Sequence, residues 1–176
     1  EPGSTMKVLS TAAALEEGVV NFSDTFSCSG KLNVANTWIS CHYKYGHGTK
    51  NFAYMLQQSC NPTMMNVAAK LGGAKYYKYF VDYGYTAITG IDLPGESKGL
   101  YVSQSGFNAV ELACYSFGQT FKTTPLQQLT AFCTVANGGY VGGGYHCAPK
   151  SDNADGLLFF QKLNVGFHHS IFLASR

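Results

Sequence analysis

EPGSTMKVLSTAAALEEG, residues 1–18, is the stretch from which the rest of the chain is read. From Thr5 to Glu17 it combines good helix formers with apolar residues at helical spacing, with Ser4 placed to cap the helix and Gly18 to stop it. Ser4 and Lys7 stand three positions apart at that helix start, so one turn puts the hydroxyl and the amine on the same face. A serine hydroxyl is a weak nucleophile until a base takes its proton, and a lysine with a lowered pKa can be that base. Taken alone the pattern is weak: a capping serine beside a solvated lysine explains it equally well.

A second candidate follows at Ser59-Cys60-Asn61. The residues from Lys50 to Gln58 read as a helix, and another begins with Pro62 at its first position and Asn61 as its cap. The three residues between are a tight turn from which a hydroxyl and an amide can project together. There Ser59 can relay a proton and Asn61 can bind a substrate amide. An Asn-Pro helix cap with no further role is the competing explanation. Between the two candidates, residues 26–48 (FSCSGKLNVANTWISCHYKYGHG) carry the alternation and turn residues of a short β-hairpin bending near Ala35 and Asn36.

Beyond these, Gly73 to Tyr83 reads as a tyrosine-rich helix, and the tyrosines at 76, 77, 79, 83 and 85 are expected to pack it. A turn-rich stretch, TGIDLPGESKG (89–99), and a polar loop to about Gly106 come next. Thr124-Pro125-Leu126-Gln127 has the form of a capping box, and Gly138-Gly139 is expected to end the helix it opens. GGYVGGG lacks a following GK[ST] and reads as a flexible link, and residues 142–176 form an unassigned tail.

Composition narrows the function. With 45% hydrophobic and 12% charged residues the 176-residue chain has enough apolar content for one domain with a core. A formal charge of +2 with no basic block excludes the footprint of a nucleic-acid binder. No apolar stretch approaches the roughly 20 residues of a membrane span. Six cysteines (Cys28, Cys41, Cys60, Cys114, Cys133, Cys147) include no CxxC pair and no histidine at zinc-finger spacing, so no metal is expected; His42, His47, His146, His168 and His169 read as surface or loop residues. Because the first motif starts at Glu1, the sequence reads as a fragment.

Order and separation then decide between chance and chemistry. EPGSTMK, the GHGT before the helix leading into QSCNPTMMNVAAKLG, TGIDLPGE, and SFGQTFKTTPLQQLTAFCTVANGG resemble successive landmarks of a class B penicillin-binding protein transpeptidase domain, among the penicillin-recognising serine transferases with their SxxK, SxN and KTG motifs. The resemblance covers residues 1–141, and the cysteine-bearing hairpin and SCN look most like a sporulation-type member. It implies an α+β fold, of which this chain holds the predominantly helical portion with a short β-hairpin insertion. It implies acyl transfer in which Ser4 attacks a D-Ala-D-Ala stem peptide of peptidoglycan. Lys7 would be the acylation base, Ser59 the proton shuttle, Asn61 the substrate-positioning residue and the Ser4 N–H half of the oxyanion hole. It further implies covalent capture of β-lactams, no cofactor, and a parent anchored in the membrane that works with cell-wall synthesis proteins on the extracytoplasmic face.

One departure stands out: no K[S/T]G strand follows, and KTT at 122–124 precedes a helix start instead. Losing one oxyanion donor typically costs ~10²–10³ in rate, so weak or absent activity is expected. A β-lactamase-like serine hydrolase and a catalytically dead interaction domain are the alternatives. Cys60 lies inside the second motif and Cys41 at the end of the hairpin, so a Cys41–Cys60 disulfide would form a redox pair tethering the turn. A Cys28–Cys41 bridge and three free thiols compete with it, since spacing does not set connectivity.

Overall fold

The run Ala12, Ala13, Ala14 lets the first helix be enclosed by its neighbours, because small side chains permit close approach on every side. In the computed structural model, which describes residues 1–92 and 94–137, that helix is α1 (Met6–Glu16), buried from Met6 to Ala14 except at Val8. A helix apolar nearly all round belongs in a core. It packs against α3 (Asn61–Leu71), α4 (Gly73–Asp82) and α6 (Pro125–Ala136), while α5 (Ala109–Tyr115) lies on α3. Gly18 ends the helix as expected, at φ +65°. Among the described residues no helix is long and apolar enough to cross a membrane.

The expected hairpin is present as β2 (Lys31–Val34) and β3 (Thr37–Ser40), paired antiparallel from Lys31 opposite Ser40 to Val34 opposite Thr37. Ala35 and Asn36 both have positive φ, 47° and 65°, as the tightest hairpin turns require. A second pair brackets it: β1 (Thr25–Cys28) runs antiparallel to β4 (Gly48–Asn51), with Phe26 opposite Lys50. Cys28 ends β1 and Cys41 directly follows β3, so the two stand at the ends of two different ribbons.

Three helix boundaries differ from expectation, each for a local reason. Ser4 does not cap α1: it sits in a 3-10 turn, Gly3–Thr5, that runs into the helix without a side-chain cap. The helix expected from Lys50 is α2 (Phe52–Gln57), because Lys50 and Asn51 are held in β4 and the Asn51 side chain accepts from the Tyr54 N–H at 2.9 Å. Asn61 does not cap α3, whose N-cap is Cys60, since the Asn61 amide is taken up by long-range partners described below.

The tyrosines form the core they were expected to form. Tyr76, Tyr77, Tyr79, Tyr83 and Tyr85 are all buried, and Phe80 stacks on Tyr85 at 4.9 Å while meeting Tyr115 and Phe121 at 5.2 Å. Buried phenols find acceptors: Tyr83 donates to the Leu9 carbonyl and Tyr85 to Gln128 Oε1. The Thr124 capping box is complete, with Thr124 Oγ1 accepting from the Gln127 N–H and Gln127 Oε1 from the Thr124 N–H. The expected stop at Gly138-Gly139, the link and the tail lie outside the described residues.

Candidate active site

Lys7 is 2% exposed although it carries an amine, and its helix is the most enclosed element of the fold. A buried ammonium needs partners, and Lys7 Nζ has three acceptors, two on Ser59 in the turn between α2 and α3 and one on Asn61 at the start of α3. It donates to the Ser59 carbonyl at 2.6 Å, to Ser59 Oγ at 2.8 Å and to Asn61 Oδ1 at 2.7 Å. Burial lowers its pKa to about 8, while the sulfurs of Cys41 and Cys60 pull the other way. The site thus favours an amine that gives up its proton more readily than an ordinary lysine.

Ser4 enters through Ser59. Ser59 Oγ donates to Ser4 Oγ at 3.3 Å, so the second serine bridges the amine and the exposed first hydroxyl. Helical spacing predicts Ser4 and Lys7 on one face; the structure joins them by a relay. Ser59 holds φ +52°, uncommon for a side chain with a Cβ, and this conformation presents both its carbonyl and its hydroxyl to Lys7. Asn61, with its oxygen on Lys7, directs its Nδ2 toward the Ser40 carbonyl at 3.4 Å, tying the turn to the end of β3.

Residues that the sequence marked only as landmarks hold the turn carrying Ser4 in place. The Gly3 N–H donates to the Gly118 carbonyl at 2.9 Å, and the Thr120 N–H to Glu1 Oε1 at 3.0 Å. Gly118 has φ +83°, and a Cβ there would lie 2.0 Å from the Gly3 carbonyl oxygen, so SFGQT clamps EPGST through backbone that admits no side chain. Gln128 Nε2 reaches Thr5 Oγ1 from α6. The TGIDLPGE stretch closes on itself, with Glu96 accepting from the Thr89 N–H, the Thr89 hydroxyl and the Gly90 N–H. Buried Gln127 fastens that loop to α6 by donating to the carbonyls of Tyr85, Ala87 and Lys98.

Cys41 and Cys60 are brought together, both as free thiols, but in company. Cys28 and His47 join them, with one ligand atom from each of the four within 4.8 Å of the others. Spacing argued against a metal here. The four residues come from four separate segments, so no short motif announces them, and the visible signal was their convergence on the ends of the strands.

The structure joins an exposed serine, through a second serine, to a buried lysine one helical turn away, with an asparagine completing the lysine's shell, and this is the side-chain pattern of the SxxK and SxN motifs. The chain belongs to the penicillin binding protein transpeptidase domain family, whose model matches residues 1–142. It is 40% identical over 140 residues to stage V sporulation protein D of Bacillus subtilis, covering 79% of this chain and 22% of that protein. It is 29% identical over 147 residues to the peptidoglycan D,D-transpeptidase FtsI of Escherichia coli, covering 79% and 23%. The structure of penicillin binding protein 3 from Mycobacterium tuberculosis complexed with aztreonam shares the fold, with a TM-score of 0.76 at 24% identity over 82% of this chain and 32% of that one. The α+β assignment therefore holds for the described residues. The chain spans about a fifth of the length of the two named relatives.

Proposed function

We propose that the chain carries the acylation half-site of a peptidoglycan D,D-transpeptidase, with Ser4 as nucleophile. The observation that carries the reading is the continuous relay from Lys7 Nζ through Ser59 Oγ to Ser4 Oγ. In the acylation step the Ser4 hydroxyl passes its proton to Ser59 Oγ, whose own proton moves to an unprotonated Lys7 Nζ. Ser4 Oγ forms the bond to the carbonyl carbon of the penultimate D-Ala. The C–N bond to the terminal D-Ala then breaks, and its nitrogen takes the proton back through the same relay. An amine of a second stem, or water, releases the acyl group from Ser4.

Asn61 has its oxygen committed to Lys7, so its Nδ2 is the end that meets a substrate carbonyl when it leaves Ser40. The Ser4 N–H serves as one oxyanion donor. A β-lactam enters as a stem-peptide mimic and remains on Ser4. The parent works at the extracytoplasmic face of a bacterial membrane, where its substrate lies. These readings draw on the relatives' named activities and on the serine-lysine geometry together.

The test is incubation of the chain with a fluorescent penicillin, read by intact mass with Ser4→Ala as control. A stable adduct lost in Ser4→Ala supports the reading. Rapid hydrolysis without a lasting adduct indicates a β-lactamase-like hydrolase, and a folded chain that never acquires the adduct indicates an interaction domain.

A further inference from the structure

Trp38 is the chain's single tryptophan, and it stands 61% exposed on a hairpin whose other face already holds it to the core. The register puts Leu32, Val34 and Ile39 on the inner face of β2 and β3, packed against the core, and Lys31, Asn33, Trp38 and Ser40 on the outer one. Lys31 Nζ lies over the indole at 4.5 Å. Single exposed apolar residues are ordinary, but this one has company. The turn at residues 43–46 sits on Gly30, where a Cβ would lie 2.1 Å from the Lys44 carbonyl oxygen, so the turn stands beside Lys31. Its Tyr43 and Tyr45 are 47% and 87% exposed and meet edge to face at 5.7 Å. Residues 25–81 include no aspartate or glutamate, so the lysines among these rings have no acidic neighbour in their own segment.

We propose that Trp38, Tyr43 and Tyr45, with Lys31 and Lys44, form a platform that binds the glycan strand of peptidoglycan beside the acyl-transfer site. The choice of occupant rests on the peptidoglycan reading of that site. Amino-sugar rings have C–H-rich faces that stack on exposed aromatic rings, and the carboxylates of muramyl lactyl groups or of stem residues pair with lysines. An exposed cation–π contact is weak enough for Lys31 to exchange it for a carboxylate, which uncovers the indole face.

The placement suits the strand that carries the reacting stem. Asn61 Nδ2 lies 3.4 Å from the Ser40 carbonyl, and Trp38 stands two residues earlier, about 7 Å along β3. The four stem residues between the sugar and the scissile bond span at most about 14 Å when extended. A stem that reaches Ser4 past Asn61 therefore has its sugar within range of the indole. A lipid surface fits less well, because the outer face and the Ala35-Asn36 tip offer no Leu, Ile or Phe to insert. An acidic protein would use the lysines and leave the rings unmatched.

The test uses the full chain, with Ser4→Ala in parallel so that binding is read apart from acylation. Glycan strands stripped of their stems by an amidase, which leaves free lactyl carboxylates, are titrated while Trp38 emission is followed. Calorimetry repeats the titration for the variants. The expected result is a blue shift of the emission, equal in Ser4→Ala, with an affinity that falls with salt. Neutral chitin oligomers, which lack the carboxylate, should bind more weakly and with little salt dependence. Trp38→Ala and Tyr45→Ala should each weaken strand binding about tenfold, the usual scale for an interface aromatic. Lys31→Ala and Lys44→Ala should flatten the salt dependence, and Leu129→Ala, comparably exposed on α6, should change nothing. All these side chains lie on the surface, so the variants keep the fold, which circular dichroism checks. No strand binding up to about 1 mM, binding indifferent to Trp38→Ala, or binding confined to anionic vesicles or polyglutamate would overturn the platform. Strand binding without a penicillin adduct would count against the acyl-transfer reading alone, and an adduct without strand binding against the platform alone.

Discussion

Lys7 Nζ lies 2.8 Å from Ser59 Oγ across 52 residues of sequence, and this contact joins two separate motifs into one hydrogen-bonded site. Its partner contacts to the Ser59 carbonyl and Asn61 Oδ1 fix the amine from three directions. The amine is buried, which eases its deprotonation, yet it is not stranded without partners. Both conditions are needed for a lysine to act as a base inside a helix bundle.

Replacing Lys7 removes the proposed base while leaving Ser4 exposed. Lys7→Met keeps the aliphatic stem's volume and is expected to slow penicillin acylation by about 10²–10⁴-fold, the usual worth of a positioned acid-base group. Stopped time courses of fluorescent labelling measure it. Circular dichroism of the same sample separates loss of the base from loss of fold, and a rate within threefold of the parent would remove Lys7 from the relay.

Ser59 permits a sharper separation, because its backbone is strained and its hydroxyl is the proposed proton carrier. At φ +52° glycine is unstrained whereas alanine keeps the Cβ penalty. Ser59→Gly is therefore expected to be more stable than Ser59→Ala by about 0.5–1 kcal/mol in denaturant titration, while both lose acylation to a similar degree. If acylation followed stability instead, recovering in the glycine variant, Ser59 would be a shaping residue and not a proton carrier.

What could be read in the chain, and what could not, follows the range of each interaction. The Thr124 capping box, the Ala35-Asn36 turn and the Gly18 stop were legible because each is settled within four residues. Ser4 and Asn61 were misassigned as caps for the same reason. Their sequence neighbourhoods offer a cap, but α1 starts through a 3-10 turn and the Asn61 oxygen is claimed by Lys7 from 54 residues away. The β1–β4 ladder encloses another hairpin, so no local turn marks it. The Cys28, Cys41, His47, Cys60 cluster depends on that ladder and was invisible without it.

Gly118 tests whether the turn carrying Ser4 is held from behind. Gly118→Ala sets a Cβ where only 2.0 Å separates it from the Gly3 carbonyl oxygen, at a φ of +83° that alanine disfavours. A loss of about 1–3 kcal/mol is expected, the scale of stored backbone strain, together with slower acylation as the Gly3 to Gly118 hydrogen bond breaks. Equilibrium unfolding and penicillin labelling read the two effects. A variant with unaltered stability would mean that SFGQT does not clamp the serine.

The hairpin supplies a change in the opposite direction. Ala35 occupies the first central position of the two-residue turn at φ +47°, a region in which an L-alanine is strained and glycine is not. Replacing it frees the turn of that strain but adds backbone entropy to the unfolded chain, and strain relief exceeds the entropic cost where φ is positive. Ala35→Gly is thus expected to raise the denaturation midpoint by an amount equivalent to about 0.4–1 kcal/mol. Asn36→Ala, by contrast, should lower it, since asparagine tolerates φ +65° better than alanine. The turn lies at the far end of β2 and β3 from Ser40, so neither change touches the relay. Acylation by penicillin at the parent rate in both variants is therefore part of the expectation, and a change in that rate would show that the hairpin transmits more than its own stability to the Asn61 contact at its base.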